Sequence, residues 1–142
     1  MILVDANVLL YAYDRSSIRH AEAQRWLASV LAGPEPVALS WATLLAFLRI
    51  GTDPHLLRRP LAVSDAAAIV SEWLERPTVT VLNASEEHWP ILNRLLIEGQ
   101  ARGALVTDAH LAALAIEHGA TLATCDRDFA RFSGLKLLNP LQ

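Results

Sequence analysis

Asp5, Asp108 and the pair Asp126 and Asp128 each stand where a short apolar run gives way to a helical one. Carboxylates gathered at one place suit phosphodiester chemistry with a divalent metal ion. Mg²⁺ and Mn²⁺ are hard cations that take oxygen ligands and keep several waters. One or two carboxylates can therefore hold an ion whose other positions stay open to substrate. Such an ion polarises a phosphoryl oxygen, lowers the pKa of a coordinated water and neutralises charge that develops in the transition state. No covalent nucleophile is required.

Aspartate also caps helices and favours turns, so each position has a plainer reading beside the chemical one. Asp5 ends the uniformly apolar Ile2-Leu3-Val4, and a carboxylate so near a core needs a partner or a metal. Asp108 follows Thr107, and is equally well explained as a first-turn acid that complements a helix dipole. Asp126 is read as facing the site with Asp128 as outer support, although one of them could simply cap the short helix Phe129 to Phe132. Asn7 either orients Asp5 by hydrogen bonding or caps the first helix, and capping is the commoner role.

The elements that must position these residues alternate between short apolar strands and longer amphipathic helices, the pattern of βα units. Strands are predicted at Ile2 to Asp5, Val37 to Leu39, Val79 to Leu82 and Leu122-Ala123, with a possible fifth at Leu135 to Leu138. Helices are predicted over Asn7 to Asp14, over Ile18 to Leu31 with Ala21, Trp26 and Leu27 inward, and over Trp41 to Ile50 capped by Ser40. Three more follow: Ala66 to Glu75 capped by Ser64 or Asp65, a helix from Ser85 to Gln100, and Asp108 to His118 capped by Thr107 and ended by a left-handed Gly119. In an open parallel sheet ligands collect outside the carboxyl ends of the strands, so the three acidic points are offered to one edge.

A chain of 142 residues, 53% of them hydrophobic, fits one domain over 1–142 with one buried core. The lone Cys125 excludes a disulfide framework or cysteine metal cluster. No apolar run approaches the roughly 18 residues that span a bilayer, and the N-terminus reads directly as strand. The expectation is a cytoplasmic protein that is neither secreted nor membrane-bound. A net charge of −3 argues against bulk capture of nucleic acid, so arginines must act locally. Arg49, His55, Arg58 and Arg59 form one such run, and Arg15 and Arg19 flank the N-terminal hairpin; a solvated loop explains the run as well as a phosphate or partner contact. The four tryptophans are read as core, the five histidines show no metal-ligand spacing, and the apolar hairpin Asn7 to Leu31 could provide a protein interface.

Asp5-Ala6-Asn7-Val8-Leu9-Leu10-Tyr11, Val106-Thr107-Asp108-Ala109-His110-Leu111-Ala112 and Thr124-Cys125-Asp126-Arg127-Asp128-Phe129 together resemble the PIN-domain nucleases, and more narrowly the VapC-type toxins of bacterial toxin–antitoxin pairs. The resemblance extends over the whole chain, through Trp41 to Ile50 and the closing Leu138-Asn139-Pro140. It implies an α/β, three-layer α/β/α fold around a mainly parallel sheet of four to five strands. It further implies an Mg²⁺- or Mn²⁺-dependent endoribonuclease, an RNA substrate, a cognate VapB-type antitoxin and a homodimer. Carried over residue by residue, it assigns Asp5, Asp108 and Asp126 as both metal-binding and catalytic.

One position departs. The family usually places a glutamate on the helix after the second strand, and here that place is Ala46, before Phe47. Asp53 lies too far along the helix to replace it, roughly 10 Å at 1.5 Å per residue. Glu117, nine residues after Asp108, falls about half a rotation round its own helix. Thr43 or Ser40 could add a hydroxyl, though only through water. The expected consequence is weaker metal binding, with one ion in place of two as the limiting case, and reduced activity. A PIN-fold binding protein that has lost catalysis is thus the first alternative. A receiver-like phosphoaspartate protein is disfavoured, because Asp5 lacks a second aspartate two residues on and the only lysine is Lys136.

Overall fold

Five strands of three residues each form a single sheet: β1 (Ile2–Val4), β2 (Val37–Leu39), β3 (Val79–Val81), β4 (Thr121–Ala123) and β5 (Lys136–Leu138). The structure is a computed structural model that describes residues 1–142. Strand order is β3-β2-β1-β4-β5, and every neighbouring pair is parallel. The possible edge strand is therefore real, with Lys136 opposite Thr121. Parallel neighbours need crossovers. These are α1 (Ala6–Tyr13) and α2 (His20–Ala32), α3 (Trp41–Gly51) and α4 (Val63–Glu75), α5 (His88–Glu98) and α6 (Leu105–Glu117), and a 3-10 helix at Arg127–Arg131.

Strand side chains alternate between two faces, and the core divides accordingly. Leu3, Ala38 and Leu122 pack with Leu95, Phe129, Phe132, Ala109 and the buried run Leu111 to Ala115 on one side. Val4, Val37 and Leu39 pack with Val8, Leu27, Leu44, Phe47 and Trp73 on the other. The result is three layers, with α1 to α4 on one face and α5, α6 and the 3-10 helix on the other. The chain steps outward from β1 to β3 and then returns to lay β4 on the opposite side of β1. This reversal between β1 and β4 is a topological switch point, where the carboxyl ends of two strands part and leave a crevice.

Several local expectations are corrected. In α2 the buried stripe runs through Ala23 and Leu27; Ala21 is exposed, Trp26 half-buried, and the helix starts at His20 rather than Ile18. Helix α4 begins at Val63 with no side-chain cap, which leaves Ser64 and Asp65 in its first turn. Ser85 starts a turn, not α5: its hydroxyl accepts from Glu87 N at 3.2 Å and donates to Glu117 Oε2 at 2.7 Å. Helix α6 begins three residues early, at Leu105, so Thr107 lies inside its first turn and caps nothing. The advance follows from Gly103, whose φ of +59° turns the chain so that Leu105 N reaches Arg102 O.

Of the tryptophans only Trp73 is core, at 1% exposure; Trp41 and Trp89 face outward because Leu44 and Phe47, and Leu95, take the inner faces of their helices. Gly119 follows α6 at φ +67°, the left-handed conformation expected there. Gly99 has a different task. A Cβ there would sit 2.8 Å from the Leu95 carbonyl and 3.0 Å from the Phe132 ring, so only glycine lets the 3-10 helix close on α5.

Candidate active site

Three elements bring the predicted carboxylates to the switch point. Asp5 leaves β1 and caps α1, its Oδ1 accepting from Ala6 N at 2.7 Å. Asp126 leaves the end of β4 and caps the 3-10 helix, its Oδ1 accepting from Asp128 N at 2.8 Å. Asp108 projects from the first turn of α6, beside the hollow that Asp5 also lines. All three are half-buried. Asp128 is exposed and leans toward Arg131 at 4.0 Å, consistent with an outer place.

The carboxylates feel one another. Burial first, and then the charges of Asp5, Asp126 and Asp128, push the Asp108 carboxyl up from its ordinary 3.8 to about 6, against the opposing pull of the Arg131 guanidinium. Burial also raises Asp5, against hydrogen bonds from Thr124 and Ala6 that favour its ionised form, with Asp126 adding to the rise. Like charges left close without compensation favour a proton or a cation.

Thr124 holds two of these acids together. Its hydroxyl donates to Asp5 Oδ2 at 2.8 Å and accepts from Asp126 N at 3.0 Å and from Asn7 Nδ2 at 3.2 Å, which fills its capacity of one donor and two acceptors. Asn7 Nδ2 also reaches Asp5 Oδ2 at 3.3 Å, and Asn7 Oδ1 accepts from Cys125 N at 3.3 Å. Asn7 thus orients Asp5 and does not cap α1, since Asp5 occupies the cap. Thr124 was not singled out from the sequence. Its signal was a polar residue directly after the buried Ala123, where only a satisfied hydroxyl is tolerated.

Beside Asp5 and Asp108 lies a hollow of about 150 Å³ lined by Ala6, Ala42, Thr43, Ala46, Thr107 and Leu111. Ala42, Thr43 and Ala46 share one face of α3, which is fixed by Phe47 packing on Trp73 with ring centroids 4.8 Å apart. Position 46 therefore points at the acids, and no other acid takes its place. Asp53 Oδ1 accepts from His55 N beyond the end of α3. Glu117, fully buried, accepts from Ser85 and bonds His88 Nδ1 at 2.9 Å, and His88 Nε2 meets His110 Nδ1 at 2.9 Å. His88, Glu117 and His110 thus tie α5 to α6 on the side away from the acids.

A second hollow of about 320 Å³ adjoins Asp126, bounded by Thr124, Cys125, Arg127 and Leu138 among others. Arg15 and Arg59, distant in sequence, line a common cavity of about 500 Å³ with His20 and Asp65. Arg19 instead lies over the Tyr11 ring, 5.6 Å from its centroid.

No three acidic, histidine or cysteine side chains stand close enough together to hold an ion as a ready-made cage. The donors nevertheless fit a hard cation that keeps its waters and needs only one or two carboxylates from the protein. The proton affinity of Asp5 and Asp108, raised by burial and by their acidic neighbours, is the electrostatic condition that such a cation relieves.

A family model for the PIN domain matches residues 2–135. The chain is 43% identical over 140 residues to ribonuclease VapC37 of Mycobacterium tuberculosis, covering 99% of this chain and 97% of that protein. Among solved structures it is similar to VapBC2 from Rickettsia felis bound to a DNA fragment from its promoter, with a TM-score of 0.71 at 22% identity over 98% of each chain. It is also similar to M. tuberculosis VapC20, a sarcin-ricin loop cleaving toxin, with a TM-score of 0.70 at 21% identity, covering 95% of this chain and 96% of that one.

Proposed function

Because the chain belongs to the PIN-domain family and has VapC ribonucleases as its relatives, we propose that it is a divalent-metal-dependent endoribonuclease serving as the toxin of a toxin–antitoxin pair. The observation that carries the reading is the meeting of Asp5, Asp126 and Asp108 at the switch point, with Asp108 held near pKa 6 by burial and its acidic neighbours. Asp5, Asp108 and Asp126 would hold Mg²⁺ or Mn²⁺, which supplies Lewis-acid polarisation of the phosphoryl oxygen and neutralises developing charge.

Asp5 is the most rigid of the three, fixed through both oxygens by Ala6 N, Thr124 and Asn7. That rigidity keeps a carboxylate pointed at the crevice without a search through rotamers. Asp126 completes the site and helps to position the attacking water, while Asp108, with the most raised proton affinity, can accept a proton near neutral pH. Arg127, at the rim of the hollow beside Asp126, is placed to meet a backbone phosphate. RNA is the substrate on this reading, a VapB-type antitoxin the partner, and a homodimer the assembly. No helix is long and apolar enough to cross a membrane.

Ala46 favours one second reading, a weakened or inactive PIN-fold protein that binds RNA or antitoxin. Incubation with a total-RNA pool separates the two. Cleavage that requires Mg²⁺ or Mn²⁺, stops with EDTA and disappears in Asp5→Asn supports the nuclease. Well-folded wild type that cuts nothing at millimolar Mn²⁺ supports the binding protein.

A further inference from the structure

We propose that the site holds a single divalent cation, on the side of Asp5, Asp108 and Asp126, and that the hollow on its α3 side is closed to a second one. This inference rests on the metal-dependent reading above. A two-metal phosphodiesterase site clamps the attacking and leaving oxygens between ions about 3.5–4 Å apart, and each ion needs anionic ligands of its own. Here the wall on which a second ion would lean is Ala6, Ala42, Ala46 and Leu111, with the neutral hydroxyls of Thr43 and Thr107 as its only oxygens besides Asp5 and Asp108.

Charge gives the same answer. Three carboxylates balance one dication with charge to spare, but leave two dications undercompensated in a half-buried crevice, where uncompensated charge is costly. The one nearby acid left over, Asp128, is exposed, does not line this hollow and already leans on Arg131. The hollow stays open as space next to the ion, a neutral recess for part of the substrate.

The geometry also says what would change the count. Position 46 lies on the α3 face that lines the hollow, and about 150 Å³ is enough for a longer side chain there. Ala46→Glu would bring a fourth carboxylate opposite Asp108, whereas Ala46→Gln fills the same space without charge.

Manganese EPR on the full chain is the test, because the six-line spectrum of free Mn²⁺ falls as ions bind, and a close pair gives a dipolar-coupled spectrum that an isolated ion does not. One Mn²⁺ per chain in wild type and in Ala46→Gln, with a second coupled Mn²⁺ in Ala46→Glu, is the expected result. Two Mn²⁺ per wild-type chain would overturn the proposal, and loss of one of them in Asp128→Asn would identify the ligand overlooked. A folded Ala46→Glu protein that still binds one ion would also overturn it. If Ala46→Glu does not fold, the wild-type count decides alone. Wild type that binds no Mn²⁺ would instead remove the metal-dependent reading on which the inference stands.

Discussion

Replacing Asp108 with asparagine is expected to stabilise the metal-free protein at neutral pH while removing its response to metal. The Asp108 carboxyl is raised from 3.8 to about 6, first by burial and then by Asp5, Asp126 and Asp128. Fully expressed, that displacement would be worth about 3 kcal/mol, at about 1.4 kcal/mol per pH unit. The side chain is partly exposed, and solvent screening leaves about half, ~1.5 kcal/mol. For a chain of this length that corresponds to a rise in Tm of about 3–6 °C. The native state holds this proton more tightly than the unfolded chain does. Its contribution to stability is therefore complete below pH 3.8 and is lost as pH rises through about 6. Asparagine cannot titrate, so the stability curves of variant and wild type should separate across that interval and run parallel above it. The assay is thermal unfolding in EDTA at closely spaced pH values, repeated with saturating Mg²⁺. Metal at about 100 times its Kd should stabilise wild type by about 2.7 kcal/mol, with little effect on the variant. A variant less stable than wild type at pH 7 in EDTA, or a difference constant across the whole pH range, would refute the reasoning.

Other perturbations test the supports of the site. Thr124→Val deletes the hydroxyl that joins Asp5 to Asp126 and leaves Asp126 N unpaired; a loss of about 1–3 kcal/mol in chemical unfolding is expected, with a fall in RNA cleavage that Thr124→Ser restores. His88→Ala removes the partner of Glu117 Oε1 while Ser85 still bonds Oε2; a loss of about 1–3 kcal/mol is expected, with Mn²⁺ binding unchanged, since the network lies away from the acids. Burial, then the charge of His88, lowers the His110 pKa below 6.5. Its neutral form is favoured in the native state, so stability should fall as pH drops from about 6.5 toward that lowered value, and His110→Gln should flatten this part of the curve. Gly99→Ala forces a methyl against the Leu95 carbonyl and Phe132, and a loss of about 1–3 kcal/mol in a denaturant melt is expected for such overpacking.

The strand-end aspartates were legible because an acid closing an apolar run is conspicuous in one dimension, and because parallel βα order dictates which strand ends share an edge. Asp5 and Asp126 met as expected, and Asp108 joined them from a helix that starts earlier than its threonine suggested. What the sequence hid was set by tertiary packing. Thr107 looks like a cap, but Gly103 lets the backbone begin α6 sooner. Trp41 and Trp89 look like core, yet each lies on the outer face of a helix whose inner face is filled by smaller residues. Asn7 resembles every other helix-start asparagine until Thr124 arrives from the far end of the chain to share it. The histidines show no spacing in sequence, and His88, Glu117 and His110 meet only because α5 and α6 pack side by side.

The hydrogen bond from Thr124 to Asp5 spans 119 positions, which bears on when the acidic crevice can come into being. Parallel pairing between β1 and β4 is a long-range contact, of the sort that forms late and slowly. On the ribosome, β1 emerges first and waits without its neighbour until β4 and the turn carrying Asp126 have left the exit tunnel. A nascent chain, or any fragment broken off before Thr124, carries Asp5 but no crevice. Synthesis itself thus delays assembly of the acidic crevice until the chain has been made past Asp126, an interval in which Asp5 stands alone.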